Sequence, residues 1–171
     1  MATDFDWTGF QALAKRLDDL LAGEREDDEF ANDLRRALTF VYTAGITMPT
    51  AGDIYEDSGG EAFADRAVDL NLGSDPAKME AALAELVARV AHSVEAAQPE
   101  GDVDADSLQD LAELAATGLL DVQQSLATGS AYFDDGRLGE ASWEWSFQFD
   151  EWGAQALSAI SALHELLWGA R

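Results

Sequence analysis

Residues 140–164, EASWEWSFQFDEWGAQALSAISALH, decide between a strand and a helix in the C-terminal part of the chain. Four aromatic side chains alternate there with other residues, a period of two that is typical of a strand: Trp143, Trp145, Phe147 and Phe149. The apolar pattern nevertheless runs from about Leu138 to Trp168, far longer than a typical strand, and continues at helical spacing. We therefore expect one long helix with two apolar faces, packed between neighbours in a bundle.

The rest of the chain shows the helical period in four more segments. Their apolar stripes begin at Phe10, Phe30, Met79 and Leu108. Asp4 or Asp6 is a candidate cap before the first stripe. Residues 49–73 form a glycine-rich connection in which only residues 61–70 predict a short helix. We expect an all-α fold, a single-domain bundle of about five helices over residues 1–171.

Composition excludes several classes of site. The 171 residues include no cysteine, so disulfides, thiolate metal sites and cysteine nucleophiles are excluded. His92 and His164 are the only histidines, which excludes a multi-histidine metal centre. The 34 acidic side chains against 10 basic ones give a net charge of −24, which repels nucleic-acid phosphates and anionic lipids. We therefore expect neither a nucleic acid nor a membrane as partner.

Targeting signals are also missing from the sequence pattern. Residues 1–7 show neither a basic run nor an apolar run of the kind that begins a signal peptide. The longest uncharged stretch, residues 37–52, is too short and too polar to span a bilayer. We therefore expect a cytoplasmic protein.

Residues 107–166 resemble a known family. The stretch SLQDLAELAATGLLDVQQSL at 107–126 is followed by the pattern E-A-x-W-x-W-x-F, by W-G, and by an A-L…A-L-H ending. These motifs resemble the uncharacterised bacterial family called domain of unknown function 5063. The resemblance implies an all-α bundle and supplies no established activity. Members tend to carry histidine on either side of the Trp-Gly pair, where this chain has Glu151 and Gln155, whereas Asp121 and His164 stand where the family places such residues.

A polar stripe on the last predicted helix is one candidate site. Glu144, Gln148, Glu151 and Gln155 recur at helical spacing, and Asp121 comes from the neighbouring helix. Clustered carboxylates between helices bind metal ions in some bundles, although the Glu-x-x-His elements of those proteins do not occur here. The alternative is a solvated helix face. The cluster that we single out comprises Asp121, Glu144, Glu151, Gln155 and His164.

An acidic run provides a second candidate. Carboxylates follow one another at the spacing of calcium-loop ligands, namely Asp102, Asp104, Asp106, Asp110 and Glu113. Ser107, however, occupies the position where a calcium loop carries glycine. The alternative is a helix start, with Asp106 as N-cap and Gln109 completing a capping box.

These patterns favour a protein without catalytic residues. No nucleophile elbow, phosphate-binding glycine loop or dinucleotide motif is present, so we expect no cofactor, with a divalent cation as the one alternative. The leading hypothesis is a non-enzymatic protein-interaction or structural module, including a homo-oligomer, with Trp7 and Trp168 as candidate contact residues. The alternatives are a divalent-cation-binding or metal-dependent protein and an acidic decoy for a basic partner.

Overall fold

The computed structural model describes residues 4–57, 76–98 and 104–169. All regular structure in these ranges is helical, and seven helices follow one another: α1 (Trp7–Ala22), α2 (Phe30–Ile46), α3 (Ala51–Asp57), α4 (Pro76–Ala97), α5 (Ala105–Asp134), α6 (Leu138–Phe147) and α7 (Phe149–Trp168). The prediction of an all-α fold is confirmed, whereas the prediction of about five helices is wrong. None of these helices combines the length and apolar composition needed to cross a bilayer.

The C-terminal helix predicted as one element is two, α6 and α7, which meet at Gln148. A continuous helix would pair the carbonyl of Trp145 with the backbone N–H of Phe149. Instead, the indole Nε1 of Trp152 donates to the carbonyl oxygen of Trp145 at 3.0 Å. Both tryptophans are fully buried, so this side-chain hydrogen bond satisfies a core carbonyl at the point where the helix breaks.

The other unexpected helix, α3, lies inside the predicted connection at residues 49–73. Its start is a reciprocal cap, because Thr50 Oγ1 accepts from the backbone N–H of Asp53 and Asp53 Oδ2 accepts from that of Thr50, both at 3.2 Å. The short helix predicted over residues 61–70 lies outside the described residues.

Two further helix starts test the cap predictions. Asp6 caps α1, since its carboxylate accepts from the backbone N–H of Gly9 at 2.8 Å. Helix α5 begins earlier than predicted, because Asp104 Oδ2 accepts from the N–H of Ser107 at 3.1 Å. The cap is therefore Asp104, and Asp106 lies inside the first turn, where its charge still favours the positive end of the helix dipole.

Helix α5 packs along α7, and close contact between the two depends on glycine. A Cβ placed on Gly118 would lie 2.9 Å from the carbonyl oxygen of Gln155 and 3.0 Å from Cβ of Ala159. The absence of a side chain at Gly118 therefore lets the two backbones approach. This approach sets Asp121, one turn further along α5, near Gln155 of α7.

The tryptophan near the N-terminus belongs to the core. Trp7 is 8% exposed and stacks on Trp145, with ring centroids 6.1 Å apart. This burial removes Trp7 from the candidate surface residues. Trp168 is partly exposed, and the guanidinium of Arg35 lies 4.8 Å from its ring centroid.

Candidate functional site

A cleft of about 390 Å³ lies between α5 and the start of α7, and we call it the polar cleft. Its described lining consists entirely of polar side chains: Asp121, Gln124, Ser125, Thr128, Gln148, Glu151 and Gln155. The α5 members recur at three- and four-residue intervals and so share one face of that helix, as do the members at the start of α7. The cleft therefore follows directly from helical periodicity once α5 and α7 are paired.

Three of the five residues predicted as a polar cluster meet in this cleft, namely Asp121, Glu151 and Gln155. Glu144 lies beside it, since its carboxylate accepts a hydrogen bond from the side chain of Gln148. His164 lies elsewhere. It is nine residues beyond Gln155, about 13 Å along the helix, and its ring packs 5.2 Å from that of Trp168.

Asp121 in the cleft and Glu144 beside it are partly desolvated. Burial raises the pKa of the Asp121 carboxyl, and the negative charge of Glu151 raises it further. Burial also raises the pKa of Glu144, partly offset by the hydrogen bond from Gln148. No described residue that lines the cleft is positively charged, so the cleft favours a cation from outside it.

The described residues provide no group of three or more metal-ligating side chains that could hold an ion. Of the predicted calcium ligands, Asp102 lies outside the described residues and Asp104 caps α5. The remaining three are exposed on the first turns of α5: Asp106, Asp110 and Glu113. Their path is helical, so they follow a helix face instead of wrapping as a loop does around a cation.

A stacked pair of aromatic rings lies in α6, the helix that ends where the polar cleft begins, and we call it the aromatic pair. Trp143 and Phe147 stack with ring centroids 4.7 Å apart and ring planes 11° apart. Phe147 is 62% exposed, the largest value among the exposed large hydrophobic side chains of the described residues. Each ring directly precedes a polar residue of the cleft region, Glu144 and Gln148 respectively. The sequence separated the two apolar faces of this segment but gave no sign of which one is solvated.

The fold and the cleft define an all-α protein with a carboxylate-bearing cleft between two of its longest helices. The particular family follows from a comparison of sequences. A family model described as "Domain of unknown function (DUF5063)" matches residues 14–168, and the chain belongs to this family. The match includes both the polar cleft and the aromatic pair, and it confirms the resemblance seen over residues 107–166. No curated protein and no solved structure matches the chain.

Proposed function

We propose that this domain is a non-enzymatic protein-interaction module that binds a basic, partly apolar segment of a partner protein. The observation that supports this most directly is the exposure of Phe147 within the aromatic pair, directly before Gln148 of the polar cleft in the sequence. Large aromatic side chains are enriched at protein interfaces, where they supply much of the binding energy. The exposure of Phe147 therefore supports a contact surface at this end of the bundle.

Charge indicates the chemistry of the partner. Asp121 and Glu151 face the polar cleft without a positive neighbour among its described lining residues, in a chain of net charge −24. A lysine or arginine side chain entering the cleft would compensate the partly desolvated charge of Asp121. An arginine would in addition stack favourably on the exposed ring of Phe147.

A second copy of the chain is the alternative occupant of this surface. Two copies would bring the same carboxylates, Asp121 and Glu151, toward each other, which opposes association through Coulomb repulsion. Sedimentation equilibrium distinguishes the two occupants. A monomer at all concentrations supports the basic partner, whereas a dimer that Phe147→Ser dissociates would replace it with a homo-oligomer.

The test uses a labelled peptide of alternating arginine and leucine, with a peptide of alternating glutamate and leucine as its acidic counterpart. We expect fluorescence anisotropy to detect only the basic peptide, and expect Phe147→Ser to weaken its binding by about tenfold, the loss of one buried aromatic contact. Asp121→Asn combined with Glu151→Gln should weaken binding comparably and reduce its salt dependence.

Matched controls separate this surface from general electrostatic attraction. Leu157→Ser changes an exposed apolar residue of α7, and Asp110→Asn changes an exposed carboxylate of α5 outside the cleft. Both should bind the basic peptide as the wild type does. Equal weakening by all four variants, with binding that depends only on ionic strength, would refute the proposed contact surface.

A divalent-cation site at the polar cleft is the second proposal; the described residues supply only two carboxylates there, Asp121 and Glu151, so water would have to complete the coordination. It predicts that calcium, magnesium or manganese raises the melting temperature of EDTA-treated protein at matched ionic strength. The rise should disappear in the Asp121→Asn, Glu151→Gln double variant, whereas Asp102→Asn tests the acidic run separately. A melting temperature that follows only ionic strength contradicts both cation sites.

A further inference from the structure

The outward face of α2 differs in charge from most of the chain. Residues 34–52 include two arginines and no carboxylate, and they form the longest stretch without one in a chain that carries 34 acidic side chains. Most of this stretch lies in α2, whose inner side packs against α1 and α7. Like charges oppose contact between two copies of so acidic a chain. A face without carboxylates therefore opposes the approach of a second copy less than the acidic remainder of the chain does.

The exposed residues of this face follow a regular spacing, and we call them the α2 seam: Arg36, Phe40, Thr43 and Thr47. Intervals of four, three and four residues place them on one side of the helix, with the spacing by which two helices pack along a common line. Phe40, near the middle of the seam, is 55% exposed. Large aromatic side chains supply much of the energy of protein contacts, so Phe40 gives the seam an apolar centre.

The two ends of the α2 seam carry opposite charge. At one end, Arg36 is held only loosely, because its Nη1 lies 3.8 Å from Oδ1 of Asp33, whereas Oδ2 of Asp33 accepts from Arg25 at 3.0 Å. At the other end, the last turn of α2 contains no basic side chain. The carbonyl groups of that turn form the negative end of the helix dipole. Each α2 helix thus offers a cation at its start and a site for a cation at its end.

We propose that two copies of this chain pair through the α2 seam, antiparallel about a two-fold axis between Phe40 and Thr43. In this pairing Phe40 of each copy lies opposite Thr43 of the other, and Arg36 lies opposite Thr47. The arginine of each copy then stands at the carbonyl end of the other α2, where a positive charge is favourable. A single helix seam is smaller than the interface of a permanent dimer, so the association is reversible and depends on protein concentration.

The test is sedimentation equilibrium between about 0.01 and 1 mM chain. We expect a reversible dimer that tightens between about 0.1 and 1 M sodium chloride, because salt screens the repulsion between two chains of net charge −24. Phe40→Ser should raise the dissociation constant by about tenfold or more. The matched control is Leu157→Ser, which changes a similarly exposed apolar residue of α7 and should leave the dimer intact.

A charge exchange tests the antiparallel arrangement. Arg36→Glu places a carboxylate at the negative end of the other α2 and should weaken the dimer. Adding Thr47→Arg to that variant restores the opposite charges with their positions exchanged, so the double variant should dimerise again. Both positions are exposed, and circular dichroism checks that the variants are folded. A double variant as weak as Arg36→Glu alone would overturn the antiparallel pairing.

The outcome is independent of the partner proposed for the polar cleft. A dimer that persists in Phe147→Ser and dissociates in Phe40→Ser supports pairing through α2 and leaves the basic partner of the polar cleft unaffected. A monomer at about 1 mM in both salt concentrations overturns the α2 dimer. A dimer that Phe40→Ser leaves unchanged overturns it as well.

Discussion

At the scale of single residues, Arg89 of α4 shows how a buried cation closes the end of another helix. Its guanidinium donates to the carbonyl oxygens of Leu20 and Leu21 in the last turn of α1, at 3.2 and 3.0 Å, and to that of Arg25 at 3.0 Å. It also lies 4.4 Å from the ring centroid of Phe30. Burial lowers the pKa of Arg89, but a guanidinium stays charged, so it complements the negative end of the α1 dipole.

Replacing Arg89 should therefore be costly. We expect Arg89→Met, which keeps an apolar stem, to reduce the free energy of unfolding by about 2–4 kcal/mol, because three carbonyl oxygens lose their donor. Arg36→Met is the control, since Arg36 is exposed and its only ion pair in the described residues, with Asp33, spans 3.8 Å. That change should stay within about 0.5 kcal/mol. Urea unfolding that gives equal losses for both variants would contradict the role of Arg89.

Asp121 belongs to the same scale and makes a prediction about pH. Because its pKa is raised in the folded state, the folded protein binds more protons than the unfolded chain between the ordinary aspartate pKa, about 4, and the raised value. The contribution of Asp121 to stability therefore falls as pH rises through that window. Asp121→Asn should stabilise the protein at pH 7, by less than about 1 kcal/mol because the group is largely solvated.

The measurement is urea unfolding of the wild type and Asp121→Asn between pH 3.5 and 7. The difference between them should shrink toward the acidic end, where Asp121 is protonated in both states. Asp110→Asn, an exposed carboxylate of the same helix, corrects for the general loss of negative charge. A variant-to-wild-type difference in the free energy of unfolding that is constant with pH would show that the titration of Asp121 does not cause it. A difference that is equal for Asp121→Asn and Asp110→Asn would show the same.

At the scale of helices, α5 carries glycines where its neighbours come closest. A Cβ on Gly129 would lie 2.3 Å from Nε1 of Trp145, whose indole donates to the carbonyl of Leu126 at 3.1 Å. We expect Gly129→Ala to destabilise the protein by about 1–3 kcal/mol through overpacking, despite the better helix propensity of alanine. Thermal and urea unfolding measure this loss.

Gly52 of α3 provides the control for Gly129→Ala, because it is also a helical glycine but has free space around it. A Cβ there would meet only Thr50 Oγ1, at 3.7 Å, so alanine fits without displacement. Gly52→Ala should be neutral or stabilising by up to about 1 kcal/mol, because glycine lowers helix propensity. Equal destabilisation by Gly129→Ala and Gly52→Ala would contradict overpacking against Trp145 as the cause of the loss at Gly129.

The sequence predicted the helices that have local signals, namely apolar periodicity and capping residues. Periodicity located α1, α2, α4 and α5, and Asp6 was a correct candidate for the cap of α1. The Thr50–Asp53 capping box was a local signal for α3, but the glycines around it favoured a loop. The break at Gln148 had no such signal. It depends on a hydrogen bond between two buried tryptophans, and no glycine or proline marks it.

At the scale of the whole molecule, charge repulsion opposes the packing of the bundle. The net charge of −24 is spread over 171 residues, and the described ion pairs are few and mostly exposed. Repulsion between like charges destabilises a compact state and weakens as salt shortens the screening length. The acidity is therefore expected to lower the stability of the bundle.

The melting temperature should rise with sodium chloride between 0.1 and 1 M, because the Debye length falls from about 10 to about 3 Å over that range. Differential scanning calorimetry in sodium and potassium chloride should give the same rise, since screening depends on ionic strength and not on the cation. An unchanged melting temperature in both salts would show that repulsion does not limit stability.

The polar cleft could be anticipated only in part. The stripe at Glu151 and Gln155 was visible in the sequence, and so was Asp121, but their meeting requires the pairing of α5 with α7. Contacts between residues more than a hundred positions apart, such as the hydrogen bond from Gln11 to Asp134, leave no local trace in the sequence. His164 fits the family pattern without lying at the polar cleft.

The stacking of Trp7 on Trp145 has a consequence for synthesis on the ribosome. The aromatic side of α1, which includes Phe10, finds its α6 partner only after 138 further residues have been added. At about 5–20 residues per second this delay is roughly 7–28 s. During that time the aromatic rings of α1 lack their α6 partner, which leaves apolar surface that a nascent-chain chaperone could bind until the bundle closes.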